Sequence, residues 1–380
     1  MLTGETTQPT PVSDMNNRQE PTTTTRQSNQ GCKGKYRRIV LGLDVHADLI
    51  MVVRIVENAA PQPAQRFSRA SFQKWVKGQL EEAESVHSCY EAGPFGYGLH
   101  RSLVEMGIKN VVVQPVCLDE RRTGVNNDKT DARELAQRLD RYVAGNDKAI
   151  AIVRVPSPEE EERRALSRQR EQLKREIKRI AAQGRGVLLT QEIRQRGDWW
   201  KGQRWEDLQA VLPKWLRGVL ERFREVIQTL AVHEQALRLQ ITAEARATRP
   251  KGVGSLTLET ANREVGDWGR FTNRRQVGSF TGLVGGVSSS GASQRMLSIT
   301  KHGNVRLRTV LVEAAWRLLL YQPQCRLIQK WKRVFGNPHA TKGARKKAIV
   351  GIARQLAVDL WRWQTGRVKP EDLGWEMMEA

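Results

Sequence analysis

The sequence predicts a mixed α/β domain followed by a mainly helical half, and three features of its patterning carry that reading. Between residues 38 and 116, short β-branched runs alternate with one segment of helical spacing. Between residues 157 and 248, apolar residues recur every seven positions. Beyond Pro250, tryptophans and aliphatic residues lie within strongly basic stretches, the texture of helices with one wet face. A chain of 380 residues with 39% hydrophobic content is long enough for two or three domains with cores of their own.

Taken in order, residues 1 to about 36 are rich in Thr, Gln, Asn and Pro and nearly free of large apolar side chains. Burial there cannot offset ordering entropy, so a disordered arm is expected. "RIVLGLDVHA" and "IMVVRIV" then form a strand pair broken by a short polar turn, and "SVHSCYEAG" is a further strand. "FGYGLHRSLVEMG" has helical spacing, and the short valine-rich "KNVVVQPV" reads as a buried strand. These elements make up a domain over residues 37 to 156. "VPSPEEEE" is a helix start in which Ser157 is the N-cap, Pro158 the first helical residue and Glu160 the partner in a capping box. Leu166, Leu173 and Ile180, then Leu216, Phe223, Leu230 and Leu237, are spaced by seven and predict a coiled-coil connector over 157 to 248. A hairpin within one chain and a contact between chains both satisfy that pattern. The remaining residues, 249 to 380, form a third, mainly helical domain, with Trp316, Trp331 and Trp361 expected as core anchors.

There are 63 Lys and Arg against 41 Asp and Glu, a formal net charge of +22. The resulting field attracts polyanions, so nucleic acid is the expected partner ahead of a membrane surface. From Lys301 to Lys347 twelve basic residues face one acid, Glu313, which makes this the strongest candidate for neutralising phosphates. No apolar run approaches the about 20 residues that span a bilayer, and the first 35 residues lack the apolar core of a secretion signal; a cytoplasmic protein is expected. The four cysteines are scattered without a C-x-x-C pair, so neither a disulfide framework nor a zinc ribbon is expected.

Against this positive background, "GVNNDKTDAREL" places Asp128 and Asp131 three apart on the first turn of a helix. Capping is one reason for acids there. Two more acids suggest another: Asp44 ends the strand "IVLGLD" and Glu91 ends "SVHSCYE", and carboxylates at strand ends can converge on one sheet edge. Four clustered carboxylates repel one another unless a cation sits among them, and hard oxygen donors suit Mg2+ or Mn2+. Two such ions can activate a nucleophile and stabilise a leaving oxygen in phosphodiester chemistry. The order Asp44, Glu91, Asp128, Asp131 fits a ribonuclease-H-like (RuvC-like) domain with a DEDD set; Asp48 is the substitute should the strand register shift.

The motifs "GLDVHAD", "YEAGPFGYGLHRSL", "NDKTDARELA" and "FTGLVGGVSSSGASQRMLSITKHGNVRLRTVLVEAA" occur here in that order. In that order they resemble the DEDD-type insertion-sequence transposases, a family that includes bridge-RNA-guided recombinases and is related to the Piv/MooV DNA invertases. The resemblance runs from about residue 38 to 365. It implies a RuvC-like catalytic domain, a coiled-coil connector and a C-terminal transposase domain, with Asp44, Glu91, Asp128 and Asp131 holding metal. It also implies a serine nucleophile at Ser290, with Ser289 one register away, in the loop after "GLV". The partners implied are donor and target DNA, a structured guide (bridge) RNA and further copies of the chain, as dimers that join in a tetramer. "RPKGVGSL" resembles the hairpin of a helix-hairpin-helix, where Gly252 and Gly254 let backbone amides approach phosphate. Lys301, Arg306 and Arg308 in "SITKHGNVRLR" are candidate phosphate contacts, as are Lys129, Lys346 and Lys347. His302 has no ligand partner at metal spacing and is expected at the surface. A junction-resolving endonuclease that uses water, and a nucleic-acid-binding protein without catalysis, are the competing readings.

Overall fold

The computed structural model describes residues 35–115, 127–245, 248–290 and 293–378. The arm expected over residues 1 to 36 lies outside the described residues except at its last two positions. After Val155 the chain divides into two compact units.

The first unit is a five-stranded mixed sheet. β1 (Ile39–Val45) and β2 (Leu49–Val56) form the expected hairpin, registered from Ile39 opposite Val56 to Val45 opposite Ile50. β3 (Gln65–Ser68) adds antiparallel to β2, and α1 (Arg69–Glu82) follows at once, its first turn capped by the Ser68 side chain. β4 (Val86–Glu91) pairs parallel to β1; α2 (Gly98–Glu105) then returns the chain to β5 (Lys109–Val113), parallel to β4. The strand order is β3-β2-β1-β4-β5. β3 and α1 were not expected from the pattern. β3 has four residues, none of them buried, so it carries no alternation to read.

Both faces of the sheet are covered, which explains why β1 reads as a continuous apolar run rather than an alternating one. Ile39, Leu41 and Leu43 pack with Phe72 and Val76 of α1 and Leu103 of α2. Val40, Met51, Val53 and Cys89 pack instead with Ala132, Leu135, Ala136 and Leu139 of α3 (Asp128–Val143). The sheet is thus sandwiched between α1 and α2 on one side and α3 on the other.

The second unit opens with α4 (Pro158–Leu189), whose N-terminus has the expected capping box between Ser157 and Glu160. α5 (Gly202–Val211) and α6 (Lys214–Ala243) follow, and α6 packs along α4. Leu216, Leu220 and Ile227 are buried against Ile180 and Leu188, around Trp199, whose indole N–H donates to the Ala181 carbonyl at 2.9 Å. The heptads therefore close a hairpin within the chain. β6 (Arg249–Pro250) leads into α7 (Ser255–Val265) and α8 (Arg274–Thr281). β7 (Gly285–Ser290) and β8 (Ser293–Ile299) form a two-stranded hairpin. The rest is helical: α9 (Val305–Tyr321), the single turns α10 (Arg326–Gln329) and α11 (Lys332–Phe335), the long α12 (Lys342–Gln364) and α13 (Pro370–Leu373), before β9 (Met377–Met378) pairs with β6. α12 is the central helix of this core, with Ile349, Ile352, Leu356 and Trp361 buried against α8 and α9. Trp331 packs on the same core, but Trp316 is 44% exposed and does not anchor it. Among the described residues, no helix is long and apolar enough to cross a membrane.

Candidate active site

One residue without a side chain positions the acids. Gly42 sits in the middle of β1 on the face covered by α3, and a Cβ built there would lie 2.1 Å from the Ala132 carbonyl oxygen and 2.3 Å from the Ala136 nitrogen. The helix backbone therefore rests directly on the strand, a close approach that only glycine permits. Asp44 is two residues further along the same face, and the first turn of α3 lies at that end of the strand. The cap of this helix is Asn127, whose side chain accepts from the Lys129 amide at 3.2 Å. Asp128 and Asp131 are therefore not needed to cap, which weakens the capping explanation for them. On the neighbouring strand, Leu43 pairs with Tyr90, so Asp44 and Glu91 come next at the ends of adjacent parallel strands.

The electrostatics record how close these groups are. Burial raises the Asp44 carboxyl above the ordinary range; the charge and hydrogen bond of His46 oppose this, while Asp128 and Asp131 add to it. Burial also raises Glu91, and the charges of Asp131 and Asp44 push it further up against the pull of Arg138. Asp44 is thus pushed by Asp128 and Asp131, and Glu91 by Asp131 and Asp44, as expected of carboxylates gathered without a cation. The folded chain thus holds these protons more tightly than the unfolded chain does. Metal-free stability should fall as pH rises from the ordinary carboxylate range of the unfolded chain through the raised values of the folded one. We expect Asp44→Asn, which removes one repelling charge, to raise the metal-free Tm at neutral pH by about 2–4 °C. Saturating divalent cation should stabilise wild type and leave the variant unmoved. Thermal melts across this pH range, with and without Mg2+, check both; a variant that melts below wild type throughout contradicts the repulsion.

Three neighbours of the acids were not expected from the sequence. His46, in the turn after β1, lies with its Nε2 3.1 Å from Asp44 Oδ2 and 3.4 Å from Asp128 Oδ2. Arg138 and Glu134 form an i,i+4 ion pair at 2.6 Å beside Glu91, on the face of α3 that carries Asp131. The spacing 131, 134, 138 was a readable signal for one helix face. Asp48 is exposed in the turn and is not in the cluster that His46 makes with Asp44 and Asp128.

In the second unit, Ser290 and Ser289 lie on β7 and not in the expected loop, and Ser290 pairs with Ser293 as the last registered pair of the hairpin. Pairing with β8 supplies the backbone hydrogen bonds that a Gly- and Ser-rich segment cannot secure by propensity alone. The base of this hairpin is braced. Arg308 donates to the carbonyls of Thr281 and Lys301 at 3.0 and 3.2 Å, and the Asn304 amide donates to the Phe280 carbonyl at 2.8 Å. Asn304 also donates its side-chain N–H to Glu264, at 2.7 Å, and Glu264 receives Arg168 of α4 through two bonds of 3.1 and 3.0 Å. Arg306 is paired with Glu171 at 2.5 Å. Thus two of the residues expected to meet phosphates, Arg306 and Arg308, have protein partners. Lys301 is exposed with φ of +58°, and Lys346 and Lys347 are exposed on α12; Lys129 is exposed on α3. Gly252 adopts φ of +84° in the turn before α7, where a Cβ would lie 3.1 Å from the Tyr321 side chain, and Gly254 is the N-cap position of α7. His302 is exposed, as expected. Cys89 and Cys325 are buried free thiols, while Cys32 and Cys117 lie outside the described residues.

Residues 245–329, which run from the end of α6 through α7, the β7–β8 hairpin, α9 and α10, match the model of the transposase IS116/IS110/IS902 family. The candidate transposase y4rJ of Sinorhizobium fredii is 31% identical to this chain over 301 residues, covering 72% of this chain and 75% of y4rJ. The transposase for insertion sequence element IS1111A of Coxiella burnetii is 26% identical, covering 85% of this chain and 88% of its own length. The transposase for insertion sequence element IS1533 of Leptospira borgpetersenii is also 26% identical, over 74% of this chain and 85% of that one. These likenesses extend through both units, and the chain belongs to the IS116/IS110/IS902 family of transposases.

Proposed function

We propose that this transposase cuts and rejoins DNA through a covalent phosphoserine link, with a divalent metal at Asp44, Glu91, Asp128 and Asp131 of a RuvC-like domain. The observation that carries the proposal is the gathering of Asp44 and Glu91, at the ends of adjacent parallel strands, within charge reach of Asp131, with Asp128 also acting on Asp44, in a protein of net charge +22. Oxygen donors of this kind fit Mg2+ or Mn2+. Bound there, the ion would supply Lewis-acid stabilisation of charge on a phosphate oxygen. The strand order, an antiparallel trio extended by two parallel strands, supports the ribonuclease-H-like reading.

In the proposed reaction the Ser290 hydroxyl loses its proton and bonds to phosphorus, and the bond from phosphorus to the 3′ oxygen breaks. That oxygen takes up a proton and leaves as a free 3′ hydroxyl. A 3′ hydroxyl from the exchanging strand then attacks the phosphoserine, which restores the phosphodiester and the serine, so no bond energy is lost to water. A structured bridge RNA pairing with donor and target DNA selects the sites, which leaves the protein to hold backbones through exposed basic residues such as Lys129, Lys301, Lys346 and Lys347. The active form is a homo-oligomer, and the exposed Trp215, Val226, Val232 and Leu239 of α6 are apolar surface left over for a second copy.

Denaturing gels of labelled junction DNA, Mg2+ and RNA transcribed from the flanking non-coding DNA test this directly. Wild type should give a protein-linked DNA band, and Ser290→Ala should lower it at least about 1,000-fold. Free nicked DNA from both proteins would instead establish hydrolysis by water. Binding without any metal-dependent product would leave a non-catalytic nucleic-acid-binding protein.

A further inference from the structure

We propose that His46 supplies a nitrogen donor to the metal site, so that the site favours Mn2+ over Mg2+. The inference rests on the reading of the four acids as metal ligands and adds to it a residue and a metal preference. His46 Nε2 faces two carboxylate oxygens from separate elements, at 3.1 Å from Asp44 and 3.4 Å from Asp128, and the three ligand atoms all lie within 4.8 Å of one another. The imidazole nitrogen has its hydrogen bond with Asp44 alone, and the 3.4 Å approach to Asp128 is a charge contact without one, whereas one cation can be shared by all three atoms. Neighbouring donors around an octahedral ion with bonds of 2.0–2.1 Å lie about 3 Å apart, which is close to the two separations from His46.

The backbone that carries the ring is held on two sides. The His46 amide donates to the Leu49 carbonyl at 2.9 Å, closing the turn between β1 and β2. From α1, Arg69 donates to the carbonyls of His46 and Ala47 at 3.0 and 2.7 Å. The Arg69 guanidinium also lies 5.6 Å from the centre of the Phe95 ring, so it is held in turn. These bonds fix the backbone from which the ring projects; the ring itself is about half exposed, at 49%, and is held by its contacts with Asp44 and Asp128. Mg2+ selects oxygen donors and retains its waters, while a transition ion accepts imidazole nitrogen; this is the physical origin of the preference.

Mn2+ alone is the probe, titrated into the full-length protein and read by electron paramagnetic resonance. Wild type should bind Mn2+ with 14N modulation in the pulsed spectrum. His46→Ala should abolish that modulation and weaken Mn2+ about 10-fold, with a smaller effect on Mg2+ measured by competition. His46→Asp, which restores an oxygen donor, should recover Mn2+ binding without the 14N signal and lose the preference over Mg2+. If Mn2+ binds wild type and is lost in Asp44→Asn, but shows no 14N coupling or binds His46→Ala equally well or better, His46 is a counter-ion and the proposal is overturned while the metal site stands. Binding of Mn2+ that is insensitive to Asp44→Asn would overturn both.

Discussion

Gly42→Val should cost about 3 kcal/mol or more of stability and reduce DNA cleavage at least about 100-fold. Even the first added carbon would lie 2.1 Å from the Ala132 oxygen and 2.3 Å from the Ala136 nitrogen, and both are backbone atoms of α3 that no rotamer change can move. The helix must lift off β1. Its first turn carries Asp128 and Asp131, so the same displacement pulls two acids away from Asp44 and Glu91. Gly42→Ala should show both effects in weaker form. Urea unfolding gives the stability loss, and the Mn2+ titration described above gives the loss of the site. If Gly42→Ala folded with wild-type stability and bound Mn2+ unchanged, the direct seating of α3 on the strand would not be what positions the acids.

Glu264→Ala should destabilise the second unit by about 1–3 kcal/mol, the cost of stripping the hydrogen bonds from a buried carboxylate whose ionic partner, Arg168, is 43% exposed and can turn to water. The Glu264 side chain is fully buried, and it receives both guanidinium bonds from Arg168 together with the Asn304 side chain. Burial alone would raise this carboxyl, but the hydrogen bonds from Arg168 and Asn304 and the charges of Arg168 and Arg306 outweigh it, so Glu264 is held below its ordinary range. Its contribution is therefore fully present above the unfolded value and lost as pH falls through the lowered one, opposite in sign to the effect of Asp44 and Glu91. Asn304 also caps α9 and holds the Phe280 carbonyl at the base of the β7–β8 hairpin. Losing Glu264 should loosen the segment that ends at Ser290, and faster amide exchange over residues 279 to 304 would report it. A Glu264→Ala variant with unchanged exchange there and an unchanged melting midpoint would show that the buried carboxylate does not brace the hairpin.

The acids were legible because each stands at an element boundary with a strong local signature. The apolar runs ending at Asp44 and Glu91 read as strands, and the pair Asp128 and Asp131 read as the first turn of a helix. Nearest-neighbour chemistry sufficed for those, as it did for the capping box at Ser157. β3 and α1 were missed because Gln65–Ser68 is short and exposed, and what makes it a strand is the free edge of β2 rather than its own pattern. Arg306 and Arg308 looked like phosphate contacts because a basic cluster has the same appearance whether its charges face solvent or partners distant in sequence. Glu171 lies 135 positions from Arg306, a separation that local pattern does not register.

By itself, then, the sequence determined the elements whose signals are local: the strands of β1, β2, β4 and β5, the helix starts at Asp128 and Ser157, the heptad faces of α4 and α6, and a positive field suited to nucleic acid. Tertiary structure alone decided that the heptads close on each other, that the serine segment pairs as a strand, that Glu264 is buried under two basic elements, and that His46 meets Asp44 and Asp128. These outcomes depend on contacts between residues far apart in the chain. Their energies come from backbone approach, as at Gly42, and from the desolvation of paired charges, and neither is encoded in any single stretch of residues.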